Sequence, residues 1–214
     1  MTCSKILLLS WAFFVCVFAV TLDAFEKVQR QLQHTNYINN VLELEYKNSL
    51  IKISPSECRE LILKSKIEGK IRRLVPGLKG QVANKLADAV FNSSLQYNID
   101  SDLVLAIAHE ESRFNSKAVS VVGAIGVMQV MPFWADKLDW VEDPNDLYLI
   151  ENNIRAGTFI LSEYLKLFKG NQKLALLAYN RGPGSVLMDI QKGNDPDNGY
   201  SMLVMSTHER IRKF

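Results

Sequence analysis

The stretch His109–Pro132, HEESRFNSKAVSVVGAIGVMQVMP, ends an apolar helical run on two adjacent acids and then enters glycine- and methionine-rich chain. On a helix the neighbours of a residue stand three and four positions away. Glu110 then faces Ala106, Ile107, Arg113 and Phe114, with Lys117 further along, so it is expected to pair with Arg113 near the surface. Glu111 faces Ile107, Ala108, Phe114 and Asn115, with Val104 and Ala118 beyond, and no cation stands at helical spacing. Apolar surroundings raise a carboxyl pKa above its usual value of about 4.3, toward that of a general acid working near neutral pH. Glu111 is the candidate catalytic residue. An isolated Glu-Glu-Ser is ordinarily the solvated end of a surface helix, so the pair alone does not decide the matter.

Outward from this stretch the pattern is helical. Asp100 or Ser101 is placed to cap the helix that carries Glu111, with Asp102 favourable in its first turn. Gly123 and Gly126 mark loop chemistry after it. Before it, Val82, Leu86, Ala89, Val90 and Tyr97 form a buried helix stripe. Beyond the loop, Asp143-Pro144 opens a long amphipathic helix along Leu147, Ile150, Ile154, Phe159 or Ile160, Leu161, Tyr164 and Phe168, which Gly170 stops. QKLALLAYN is one more apolar helix, broken by RGPG at 181–184. No alternating run of strand length competes. The expected fold class is mainly α, with a small helical region over 25–80 before a catalytic domain over 81–214. Pro76-Gly77 marks the boundary, and SPSECRELIL (54–63) reads as a helix start within the first part.

The first residues belong to export. A short basic start leads into Ile6–Leu22, a nearly unbroken apolar run that ends at Asp23. Residues 1–24 are read as a signal peptide or an uncleaved N-terminal membrane anchor. Val17-Phe18-Ala19 and Leu22-Asp23-Ala24 are both acceptable cleavage sites, whereas Phe13, Phe14 and Val15 make a poor lipoprotein context for Cys16. The protein is therefore expected in the periplasm or cell envelope. Cys58 alone remains in the exported part, so no intrachain disulfide can hold the fold.

A formal net charge of +2 over 214 residues is too small to mark a nucleic-acid binder. The basic run Lys64, Lys66, Lys70, Arg72, Arg73 and Lys79 reads either as a solvated helix face or as a contact for an anionic lipid or wall polymer. His34, His109 and His208 are scattered and no metal-ligand spacing is present, so neither metal nor cofactor is expected.

Three motifs in order sharpen this reading. Glu111-Ser112-Arg113-Phe114, Gly123–Pro132 and Ala178-Tyr179-Asn180-Arg181-Gly182-Pro183 match E-S-x-F, G-A-x-G-L-M-Q-x-M-P (with Val127 for Leu) and A-Y-N-x-G-P. In this the chain, over roughly 82–214, resembles the lytic transglycosylase domain of the soluble lytic murein transglycosylases, a lysozyme-like fold. There are two departures. Ser116 stands where the family usually has Pro, and the C-terminal E-T-x-x-Y-V-x-K-V is only faintly echoed by STHERIRKF (206–214), with Ser206 at the Glu and Arg210 at the Tyr position. Glu209 is near enough to raise the question of replacement.

The resemblance implies a partner and a chemistry. The partner is the peptidoglycan glycan strand. The reaction is cleavage of the MurNAc-β-1,4-GlcNAc bond without water, leaving 1,6-anhydro-N-acetylmuramic acid. Glu111 would serve as acid and then base, Ser112, Gln129 and Met131 would line the sugar cleft, Tyr179 would orient Glu111 or the substrate, and Asn180 would hold that loop. A goose-type lysozyme-like muramidase, which uses water, and a non-catalytic wall-binding or assembly protein remain the alternatives. Residues 25–80 could dock an envelope-machine partner. A membrane enters only if the N-terminal segment is retained.

Overall fold

A computed structural model of the chain describes residues 24–43 and 54–214. The expected signal or anchor, except for Ala24, lies outside the described residues. The chain divides into two compact units, residues 1–58 and 59–214. In the first, helix α1 spans residues 24–43. Its Phe25, Val28, Leu32, Ile38 and Leu42 are exposed.

Helix α2, Pro55–Leu74, starts as the sequence suggests. The Ser54 hydroxyl accepts from the Glu57 amide at 3.2 Å, and the Glu57 carboxylate accepts from the Ser54 amide at 2.7 Å. The two satisfy each other's free groups as a capping box. The second unit begins at Arg59 rather than after Gly80, because Ile67 and Ile71 of α2 enter its core and Lys70 Nζ lies 2.7 Å from both carboxylate oxygens of Asp102. The basic run is largely neutralised within the protein. Lys64 pairs with Glu60 and Asp88, Arg72 with Glu68, and Arg73 donates to the Phe214 carbonyl oxygen.

The core is built around α3, Gly80–Tyr97, α4, Ser101–Ser112, and α5, Ile150–Leu167. Leu103 to Ala108 of α4 are all buried, which makes α4 the central element. Of the two capping candidates Asp100 takes the role, its carboxylate accepting from the Asp102 amide at 3.0 Å. Helix α6, Gln172–Arg181, packs on α5; α7, Pro183–Gln191, follows it; and α8, Tyr200–Arg212, returns against α4. Gly170, at φ +82°, turns the chain out of α5 as expected.

Asp143-Pro144 opens a different element from the one expected. Asp143 and Asp146 close a capping box around a short 3₁₀ turn, Pro144–Tyr148, and α5 starts only at Ile150. Two side-chain oxygens competing for backbone amides here favour a tight turn over α-helix. A second 3₁₀ turn covers Pro132–Lys137.

Candidate active site

Helix α4 ends abruptly just past the acids. Arg113 and Phe114 both take left-handed backbone conformations, φ +52° and +64°, which is uncommon for residues with side chains and rarer for an aromatic. Burial of the Phe114 ring compensates, and the chain folds back over the end of the helix. This also explains why the expected Glu110–Arg113 pair is not formed. Arg113 has left the helical path, so its side chain no longer sits one turn from Glu110. Glu110 Oε1 instead accepts from the Thr207 hydroxyl of α8 at 2.6 Å and lies 3.0 Å from His109 Nδ1.

Glu111 is largely shielded from solvent. Its Oε1 accepts from the Tyr200 phenol at 2.5 Å. Burial pushes its pKa up; the Tyr200 hydrogen bond opposes this, and the neighbouring Glu110 charge adds to the rise. A carboxyl so placed holds its proton more firmly than a solvated one, as a general acid requires. Burial and the nearby Glu111 also raise the Tyr200 and Tyr179 phenols well above their ordinary range, so both remain neutral donors.

The loop after Phe114 is a lattice of backbone contacts. Ile125 bridges Val119 on one side and Val130 on the other. Buried Asn153 of α5 anchors it, accepting from the Met128 amide at 2.7 Å and donating to the carbonyls of Ile125 at 2.8 Å and Leu147 at 2.7 Å. Gly126 has to be glycine twice over: φ is +78°, and a Cβ would lie 2.5 Å from Asn153. Gly157 of α5 allows a close approach of another kind, since a Cβ there would meet Met128 Sδ at 2.6 Å and the Tyr179 hydroxyl at 2.7 Å.

A groove of about 270 Å³ runs beside this loop, and Gln129, Met131, Phe133, Trp134, Tyr179 and Asn180 are among the residues that line it. Four of the expected cleft residues therefore meet on one surface. Their polar atoms also serve the fold. Gln129, at φ +48°, donates to the Gly126 carbonyl at 3.0 Å. Asn180 Oδ1 accepts from Asn198 at 2.8 Å, tying the end of α6 to the chain before α8.

Ser112 alone of the five expected residues stands outside the groove, and the Tyr179 hydroxyl bonds to the backbone rather than to Glu111. Ser112 is not part of the groove wall; its hydroxyl donates to the Val127 carbonyl at 2.7 Å and accepts from the Asn115 amide at 3.1 Å, stapling the end of α4 to the loop. The Tyr179 hydroxyl donates to the Met128 carbonyl at 2.8 Å. The phenol on Glu111 belongs to Tyr200, ten positions before Arg210, where the C-terminal echo placed a tyrosine. Glu209 is exposed and lies 3.7 Å from Arg212, so it takes no part in the site. A glycine followed by a tyrosine at a helix start was the available signal for Tyr200, and it is weak on its own. Among the described residues, no three His, Cys, Asp or Glu side chains cluster as a metal site requires.

Comparison with known proteins places this arrangement. Residues 88–200, more than half the chain, match the family described as the transglycosylase SLT domain. Membrane-bound lytic murein transglycosylase C of Sodalis glossinidius (strain morsitans) is 35% identical over 156 residues, 61% of this chain and 43% of the relative. The protein of that name from Edwardsiella ictaluri (strain 93-146) is 38% identical over 129 residues, 54% of this chain and 36% of the relative. The chain thus spans less than half the length of these curated relatives. Among solved structures, an inactive mutant of lytic transglycosylase Slt from Pseudomonas aeruginosa is similar with a TM-score of 0.52 and 28% identity, over 59% of this chain and 24% of that one. The 70-kDa soluble lytic transglycosylase from Escherichia coli shares the fold, with a TM-score of 0.57 and 24% identity over 75% of this chain and 31% of that one. With the three motifs in order and the match running from α3 to the tyrosine on Glu111, the chain belongs to the transglycosylase SLT domain family.

Proposed function

We propose that this protein is a peptidoglycan lytic transglycosylase, cleaving the MurNAc-β-1,4-GlcNAc bond and closing a 1,6-anhydro ring on the muramyl product. The observation that carries the reading is a single shielded carboxyl, Glu111, held by the Tyr200 phenol and close enough for its charge to act on Tyr179, which lines a groove with Phe133, Trp134 and Asn180. Glu111 gives its proton to the glycosidic oxygen as that oxygen leaves the muramyl C1. The C6 hydroxyl oxygen of the same sugar then bonds to C1, and the Glu111 carboxylate takes the proton released from C6–OH. Atoms and charge balance without water.

One carboxyl group suffices because the nucleophile is already part of the substrate, which gives it a high effective concentration. Most glycosidases that use water or a covalent intermediate place a second carboxylate across the bond, about 5 to 9.5 Å away. Glu110, the nearest acid in sequence, is held by Thr207 and His109.

The site roles follow the same reading. Glu111 is the catalytic residue, Gln129, Met131, Tyr179 and Asn180 form the substrate wall, and Ser112 supports it from behind. The apolar run at 6–22 and the membrane-bound relatives support a location in the cell envelope, on its periplasmic side. The exposed apolar residues of α1 are consistent with an envelope-machine partner docking through 25–80. Among the described residues, no helix is long and apolar enough to cross a membrane.

Mass spectrometry of the products released from purified sacculi tests the function. Anhydromuropeptides, one water lighter than reducing muropeptides, are expected with the wild type and not with Glu111→Gln. Reducing ends would make the enzyme a muramidase, and Glu110→Gln abolishing release while Glu111→Gln preserves it would overturn the assignment.

A further inference from the structure

The second acid of the pair remains without a role in this chemistry, yet it is as tightly held as the first. Glu110 is mostly buried, and its Oε1 is fixed from two elements: the Thr207 hydroxyl of α8 at 2.6 Å and His109 Nδ1 of its own helix at 3.0 Å. Arg210 backs the clamp, its guanidinium lying 3.5 Å from Thr207 Oγ1. The His109 ring is in turn set edge-on against buried Phe114, centroids 6.1 Å apart. A mostly buried carboxylate held through one oxygen by a hydroxyl donor and an imidazole nitrogen is a built feature, because leaving such a charge unpaired is costly.

We propose that Glu110 is a positioning residue for the reaction at Glu111: a fixed negative charge, one residue along α4, that acts on the catalytic carboxyl through space. The inference rests on the transglycosylase reading and adds to it a means by which this chain adjusts its own acid. The ionisable groups around Glu110 are His109 and Glu111 on α4, and Tyr200 and Arg210 on α8. Of these, Glu111 and Tyr200 both feel the Glu110 charge, in each case in the direction that keeps a proton on the neighbour. The clamp gives the effect a fixed geometry, since a carboxylate able to turn into solvent would be screened.

The direction of the effect follows. Glu111 must be protonated to start the reaction, and a nearby negative charge favours the protonated form. Glu110 therefore extends activity toward higher pH. Glu110→Gln keeps the shape and an oxygen for Thr207 to donate to but removes the charge. In this variant the alkaline limb of the rate profile on sacculi is expected to move to lower pH, so that the rate on that limb falls about two- to fivefold relative to the variant's own maximum. Thr207→Val, which frees the carboxylate without removing it, should move the limb the same way by less.

A second measurement does not need turnover. In protein labelled with ¹³C in its glutamate side-chain carboxyls, the Glu111 resonance, assigned by its loss in Glu111→Gln, is followed through pH. Its titration midpoint is expected to fall in Glu110→Gln. An unmoved midpoint overturns the inference, whatever the variant does to overall rate, because loss of rate alone is what a structural role would produce. If the midpoint falls but the wild type releases no anhydromuropeptide, the coupling stands and the proposed function fails.

Discussion

The Tyr200 phenol donates to Glu111 Oε1 at 2.5 Å, joining the first residue of α8 to the last turn of α4 across 89 positions of sequence. This contact fixes where the acid points and works against the rise in its proton affinity caused by burial. Tyr200→Phe removes the hydroxyl and keeps the ring. A hydrogen bond to a charged group contributes about 1.5 to 3 kcal/mol, so kcat is expected to fall about ten- to a hundredfold. The alkaline limb should move to higher pH, because the donor that favoured the carboxylate is gone. Steady-state rates on sacculi across pH check both effects. A limb moving to lower pH would mean that the phenol does not act on the carboxyl as described.

Glu111 also has a cost for folding that depends on pH. Its folded-state pKa is raised above the usual 4.5 by burial. The folded protein therefore holds this proton more strongly than the unfolded chain does. Well below pH 4.5 both states are protonated and the group is neutral to stability. As pH rises toward the folded value the unfolded state ionises first, and stability is lost until both have ionised. Glu111→Gln removes the penalty. Urea unfolding should show the variant matching the wild type at acid pH and exceeding it at pH 7 and above. A variant less stable at neutral pH would indicate that the carboxylate is satisfied in the fold.

Gly157 sets two opposed effects against each other. Alanine in place of glycine favours a helix interior by about 1 kcal/mol. Here the new Cβ would lie 2.6 Å from Met128 Sδ and 2.7 Å from the Tyr179 hydroxyl. Overpacking typically costs about 1 to 3 kcal/mol, and the Tyr179–Met128 hydrogen bond is displaced as well. Gly157→Ala is expected to be destabilised by about 1 to 2 kcal/mol net, with less anhydromuropeptide released at saturating substrate. A variant as stable as the wild type by urea unfolding would show that the Met128 side chain can move aside.

Local periodicity made the α3 stripe, the start of α2, the Gly170 stop and the apolar setting of Glu111 legible, because each depends on residues within four positions. The three motifs marked the loop and the Ala178-Tyr179-Asn180 end of α6. What stayed hidden joins distant segments: Tyr200 to Glu111, Thr207 to Glu110 and Asn153 to the loop, none of which has a periodic signature. The Glu110–Arg113 expectation failed for a related reason, since helical spacing says nothing of where the helix ends. Two left-handed residues ended it one position too soon for that pair.

The wall of the groove carries an aromatic shelf at Phe133 and Trp134. Phe133 is 52% exposed and stacks on Trp134 with centroids 5.7 Å apart. Lys137 Nζ sits over both rings, at 5.5 and 5.0 Å. The apolar face of a sugar packs well on such a surface. A contact remote from the bond being broken stabilises bound substrate and transition state alike, so its loss should appear in KM rather than kcat. Phe133→Ala is expected to raise KM about five- to tenfold, roughly 1 to 1.4 kcal/mol, with kcat near that of the wild type. Stability should hardly change, because half of the ring is already in water. Titration calorimetry of a glycan oligomer into Glu111→Gln, with and without Phe133→Ala, isolates binding from turnover. If kcat falls in step with kcat/KM while ground-state binding is unchanged, the shelf touches the substrate only in the transition state.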